Sequence, residues 1–365
     1  MTTPGLSRED LRAAVAAGAI TEAQAASVIA LAQSRIDGRA AMQEEDEPFE
    51  FFRGFSEIFI AVGLVILLSG VLALMSLIGF GSGLFPIVPA SMAAVAWWMA
   101  GYFTLRRRMV LPSVVLLVTF GLGVGGIVAW LALSQDFPNP VRLAQGVSLA
   151  GAAAMGAWYW RFRLPVAMFF VGLSLLVALY VSWAEPVDVI AFADSGRIDS
   201  LFDLRSTTGL ALATLIFGIG AFGAAMWFDM RDPHRMGRHS ATGFWLHLLA
   251  APALVNTVAL TLLNLGGTVG IVALAAALTA ISVLALVIDR RSFVTAGMIY
   301  IGLVIAWLIR GEAAGEFGHW VAILIALGTF ITALGTFWVG LRARLMRVLP
   351  DFPGKTRLPP YAETP

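Results

Sequence analysis

The stretch FSEIFIAVGLVILLSGVLALMSLIG, from Phe55 to Gly79, decides the fold class. Its only charge is Glu57, near its start, and the remainder is apolar, small or hydroxylic on every side. A helix crossing about 30 Å of hydrocarbon needs about 20 consecutive apolar residues, and a helix apolar all round must be buried in protein or in lipid. Nine more runs of this kind come after it, so the expected spans are 55–79, 84–104, 109–133, 141–160, 164–184, 208–228, 241–264, 267–288, 292–310 and 318–341. The expected fold class is therefore all-α, a polytopic transmembrane helix bundle of about ten spans.

Composition agrees. Of the 365 residues 59% are hydrophobic and only 13% charged, with mean hydropathy +0.84. A soluble domain carries about 25% charged residues, so much of the surface here needs lipid. The net charge of +1 gives no case for nucleic acid. Cysteine is missing, which removes disulfides, thiolate metal sites and cysteine nucleophiles. No residue pattern calls for a cofactor or a metal. The polar, acidic N-terminal stretch is unlike a cleavable signal peptide, and the run at Phe55 is too long for one.

Basic residues orient the spans, because they gather in short cytoplasmic loops. Arg106, Arg107 and Arg108, then Arg161 and Arg163, then Arg231, Arg235 and Arg238, then Arg290 and Arg291 fall in every second loop. The intervening loops hold only Arg142, Arg197, Arg205 and Arg310. The alternation places both termini in the cytoplasm. Trp158, Trp160, Trp227 and Trp245 then lie near cytoplasmic ends, and Trp130, Trp183 and Trp320 near outer ends, as an interfacial aromatic belt requires. The long outer loop 185–207 divides the spans five and five, the count of an inverted repeat.

Four regions are expected: a cytoplasmic helical hairpin over 1–36, an acidic linker and interfacial segment over 37–54, the transmembrane domain over 55–345 and a cytoplasmic tail over 346–365. In the hairpin Gly18 ends the first helix, and Thr21-Glu22-Ala23-Gln24 matches a capping box that starts the second. Two helices this short have little core of their own, so the hairpin is expected to dock on the membrane domain or on a protein partner.

The seventh span is the most unusual: Phe244-Trp245-Leu246-His247-Leu248-Leu249-Ala250-Ala251-Pro252-Ala253-Leu254-Val255-Asn256-Thr257. Pro252 should kink it and free a carbonyl near Leu248. Polar side chains at this depth pair with one another or face a water-filled cavity. His247, Pro252, Asn256 and Thr257 are the candidate substrate-binding residues, against the plainer reading that they hydrogen-bond between helices. Among the basic residues, Arg106, Arg107, Arg108, Arg231, Arg235 and Arg238 are expected to meet lipid headgroups, with Asp229 and Asp232 holding the arginines and Ser240 capping the seventh helix. Metal ligation by Asp232, His234 and His239 lacks a recognised spacing, and a divalent cation on Asp188, Asp194, Asp199 and Asp203 lacks the calcium-loop pattern. Gly218-Ile219-Gly220-Ala221-Phe222-Gly223 matches a dinucleotide fingerprint literally, but it lies inside a span, where small residues serve helix packing. Gly121 and Gly125 read the same way. Catalytic residues are not expected: no carboxylate lies in a span core, and His247 has no serine within a helical turn.

The segment Asp229-Met230-Arg231-Asp232-Pro233-His234-Arg235, followed by Phe244 to Val255, resembles an uncharacterised family of bacterial polytopic inner-membrane proteins. Gly18-Ala19-Ile20-Thr21 resembles the hairpin that opens proteins of a related domain of unknown function, and Leu349-Pro350 and Leu358-Pro359-Pro360 fit the family that the seventh span resembles. The resemblance implies a bacterial inner membrane and no activity. The functional expectation is a permease-like protein for a small or amphipathic solute. Its rival is a non-transporting scaffold or regulator that binds a partner through the hairpin.

Overall fold

The computed structural model describes residues 14–15, 17–21, 24, 55–79, 86–134, 139–183, 201–205, 209–233, 235, 237–293, 321, 325, 328–329, 332–359 and 361. The chain divides into two compact units, Met1–Pro48 and Phe49–Pro365. In the first, Gly18 takes a left-handed φ of +68° where a helix ends, its N–H bonding the Val15 carbonyl. The capping box forms in both directions: Thr21 N–H donates to Gln24 Oε1 at 2.9 Å, and Gln24 N–H to Thr21 Oγ1 at 3.2 Å.

Every regular element described in the second unit is helical. They are α1 (Phe55–Gly79), α2 (Ile87–Ala100, ending in a π-turn over Gly101–Arg106), α3 (Val110–Ser134), α4 (Pro140–Phe162), α5 (Ala167–Trp183), α6 (Leu210–Asp229), α7 (Arg238–Leu263), α8 (Gly267–Ile288) and α9 (Trp338–Val348), with a 3-10 turn at Lys355–Arg357. The first eight coincide within a few residues with the first eight expected spans. Among the described residues six helices are long and apolar enough to cross a membrane: α1, α2 with its π-turn, α3, α6, α7 and α8. The fold is a multi-pass helical membrane bundle. Helix α5 is 17 residues long, and α4 is longer but carries Arg142, Gln145 and Arg161. All of the expected ninth span beyond Phe293, ten of the 24 residues of the expected tenth and all of the acidic segment 37–54 lie outside the described residues.

Phe59, Leu74 and Leu77 on α1 and Val269 and Val272 on α8 are exposed, an apolar surface that suits lipid. Inside, Trp97, Phe120, Trp158 and Phe162 form one aromatic cluster joining α2, α3 and α4, with ring centroids 4.5–5.7 Å apart. Trp158, expected in an interfacial belt, is instead fully buried in that cluster, whereas Trp160 two residues on is exposed. On a helix, residues two apart face different ways, so nearness to a span end did not decide which tryptophan faces lipid. The α2–α3 seam is made by glycine: a Cβ on Gly123 would stand 2.7 Å from the Pro89 carbonyl oxygen, and one on Gly126 2.8 Å from Pro89 Cβ.

Polar contacts tie the helix ends together. Glu57 is buried and accepts from the N–H groups of Val110 and Leu111, at 3.1 and 3.4 Å, so a carboxylate caps the positive end of α3. At the opposite end of the bundle Gln145 donates to Ser182 across α4 and α5, and Tyr180 bonds Thr214 across α5 and α6. There too Asn264 Nδ2, just past α7, donates to Asp203 at 2.8 Å. Asp203 thus takes part in a helix-end contact, and Asp188, Asp194 and Asp199 lie outside the described residues.

Candidate functional site

Helix α7 sits among its neighbours, packing most heavily on α6 and also touching α5 and α8. It is buried on more than one side, which is why its polar residues need partners inside the protein. It runs unbroken across Pro252. The proline removes one hydrogen bond without ending the helix, which membrane helices tolerate when the surroundings are packed. Its N-terminus is not capped by Ser240. Gly237 is the capping position, and Asp232 from the preceding loop accepts from Gly237 N–H at 2.7 Å and Ser240 N–H at 3.3 Å. The helix dipole favours that carboxylate.

His247 is fully buried, and its Nε2 lies 2.9 Å from Oδ2 of Asp229, the last residue of α6. Arg290, two residues past the end of α8 and 1% exposed, grips the same carboxylate with two nitrogens. Its Nε donates to Oδ2 at 2.9 Å and its Nη2 to Oδ1. Nη2 also donates to the Ser240 carbonyl at 3.0 Å and reaches Ser240 Oγ at 3.2 Å. One carboxylate, one guanidinium and one imidazole thus join three helices at one end of the bundle. With Asp229 ionised beside Arg290, Oδ2 can only accept, so the imidazole Nε2 carries a hydrogen. The rings of Phe222 and Phe293 flank His247, with centroids 5.6 and 5.9 Å away. Gly243, one turn before His247, faces the carboxylate, and a Cβ there would overlap Asp229 Oδ1.

A second node lies beside it. Asp289, in a left-handed conformation at φ +57°, accepts from Trp338 Nε1 at 2.7 Å and pairs with Arg235 at 3.1 Å and Arg342 at 3.6 Å. Arg342 also donates to the carbonyls of Leu286 and Pro359, which attaches the C-terminal segment to α8 and α9.

The four candidate substrate residues do not converge. At 100° per residue His247 and Asn256 lie about 180° apart around α7 and about 13 Å apart along it. Thr257 donates to its own helix at Ala253 O, 2.6 Å away. Asn256 is buried, and its Oδ1 finds no hydrogen-bond partner among the described residues. Two surface grooves lie along Ile325–Phe337 and Ala333–Arg344, and neither includes His247 or Asn256. Of the arginines expected at headgroups, Arg106, Arg107, Arg108, Arg231 and Arg238 are exposed. Arg231 lies 3.4 Å over the Trp227 ring. Arg235 departs from the expectation by pairing with the half-buried Asp289, where a partly desolvated carboxylate gains from a counter-charge.

Sequence reasoning found His247 but missed Asp229 and Arg290 as its partners. Both stand at span ends, where charge is ordinary. A histidine in a span signals that a partner is needed, but Asp232 is nearer to His247 in sequence than Asp229, so the sequence did not name the partner. No protein-family model, curated protein or solved structure matches the chain.

Proposed function

We propose that the chain is a permease-like protein for a small or amphipathic solute, and that the junction of Asp229, His247 and Arg290 holds one end of the solute path closed. The observation that carries this is a buried ionised cluster linking three membrane helices. Such groups are costly in a bilayer and are concentrated along solute and ion pathways. The pair of Asp229 with Arg290 also supplies what a gate needs, a contact strong when made and lost as a unit when one partner is drawn away. In this reading the bundle has about ten spans in two halves of five, with both termini in the cytoplasm of a bacterium and the junction at the cytoplasmic face of its inner membrane.

The test is melting temperature across a solute panel for the purified protein and for His247→Leu. A solute at the site raises the melting point of the wild type and does so less, or not at all, in the variant. An equal shift in both proteins removes His247 from the site. A second reading has its own support: Met1–Pro48 is a compact unit by itself, which suits a partner-binding module on a membrane anchor. Deleting residues 1–45 should then abolish a co-purifying partner while leaving the melting of the membrane unit unchanged; a partner retained by the truncated chain contradicts that reading.

A further inference from the structure

We propose that Arg290 and His247 form an anion site which Asp229 fills as a tethered ligand, and that the solute is a small carboxylate able to take its place. The transport half of this rests on the permease reading; the site itself rests on geometry. Three nitrogens, Arg290 Nε and Nη2 and His247 Nε2, converge on the two oxygens of one carboxylate. A guanidinium fork gripping both oxygens of a planar group is the geometry of carboxylate recognition. The fork is held independently of its ligand, because Nη2 is anchored to the Ser240 carbonyl and hydroxyl on α7. Removing the carboxylate therefore leaves an oriented site behind.

The tethered ligand is poorly placed by its own helix. Asp229 ends α6, where the negative end of the dipole disfavours a carboxylate, so its position depends on Arg290 and His247. Gly243 leaves the room that the carboxyl group fills, since any Cβ there would overlap Oδ1. The neighbouring charges do not compete: Asp289 is occupied by Arg235, Trp338 and Arg342, and Asp232 by the N-terminus of α7. His239 stacks on Phe228. When a solute carboxylate takes the fork, Asp229 is released, α6 loses its hold on the end of α8, and binding opens the junction.

The experiment uses the full chain in lipid nanodiscs, with melting followed in formate, acetate, inorganic phosphate and chloride at matched ionic strength. Asp229→Ala should melt below the wild type, and formate and acetate should raise its melting point by several degrees with saturation. Chloride and phosphate should not. The double variant Asp229→Ala, Arg290→Met should show no carboxylate shift. A flat carboxylate response in Asp229→Ala, or an equal one in the double variant, overturns the site, and a phosphate shift as large as that of formate overturns the carboxylate assignment. Should Asp229→Ala fail to fold, Asp229→Asn keeps the shape of the side chain and carries the same comparison. Liposome flux separates the two layers. Carboxylate rescue with no solute flux upholds the site and removes the permease reading, whereas flux confined to neutral or cationic solutes keeps the permease and overturns the carboxylate.

Discussion

At the scale of single residues, the junction makes its clearest demand at Gly243. A methyl group there would overlap Asp229 Oδ1, so Gly243→Ala must push the carboxylate off its partners and should cost about 1–3 kcal/mol, as overpacking does. Gly220 on α6 has nothing within 4 Å of its would-be Cβ, and Gly220→Ala should be neutral or mildly stabilising. Equal melting points for the two variants would contradict the geometry. The pair itself predicts strong coupling. Arg290→Met leaves a buried carboxylate without its counter-charge and should cost about 3–5 kcal/mol, while adding Asp229→Asn should recover much of that loss. Additive losses in a double-mutant cycle would show that the two residues do not act together. His247 was legible in the sequence because a histidine inside an apolar run is conspicuous. Asp229 and Arg290 were not, because they lie 61 residues apart and only the packing of α7 against both α6 and α8 brings them together.

At the scale of elements, the legible features came from constraints that act locally. The thickness of the hydrocarbon sets span length, so the first eight helices fall where the apolar runs put them. The capping box at Thr21 and Gln24 depends on residues three apart, and it forms. Readings that depended on a competitor elsewhere went astray. Ser240 looked like a cap, but α7 begins two residues earlier at Arg238, where Asp232 reaches from the loop to the Gly237 and Ser240 N–H groups. Helix α7 therefore makes two demands. Asp232→Ala should lower stability by about 0.5–2 kcal/mol, the range for a lost N-terminal cap, and Ser240→Ala, which keeps the Asp232 bonds to the backbone, should cost less. Comparable losses, read by melting of the purified variants, would mean that Asp232 does not carry the cap.

At the scale of the whole molecule, the missing cysteines make topology directly measurable, since a thiol reagent reads only what is introduced. Single cysteines in place of Arg107 and Arg238 should react with an impermeant maleimide from the side that bears the termini, and cysteines in place of Ser134 and Leu265 from the other. Labelling of Arg107→Cys and Arg238→Cys from opposite sides would break the proposed alternation. The helical membrane bundle was the most legible feature, because it depends on composition and the length of apolar runs, which need no partner. The junction was the least legible, because a buried cluster of three charged or polar side chains exists only once the helices have packed. Its role is tested most directly by solute uptake into liposomes carrying the wild type, Asp229→Ala or His247→Leu. The wild type should take up at least one solute saturably, and both variants should lose that uptake while still melting cooperatively. A wild type that moves nothing, or uptake unchanged in the two variants, would contradict a gate at this junction.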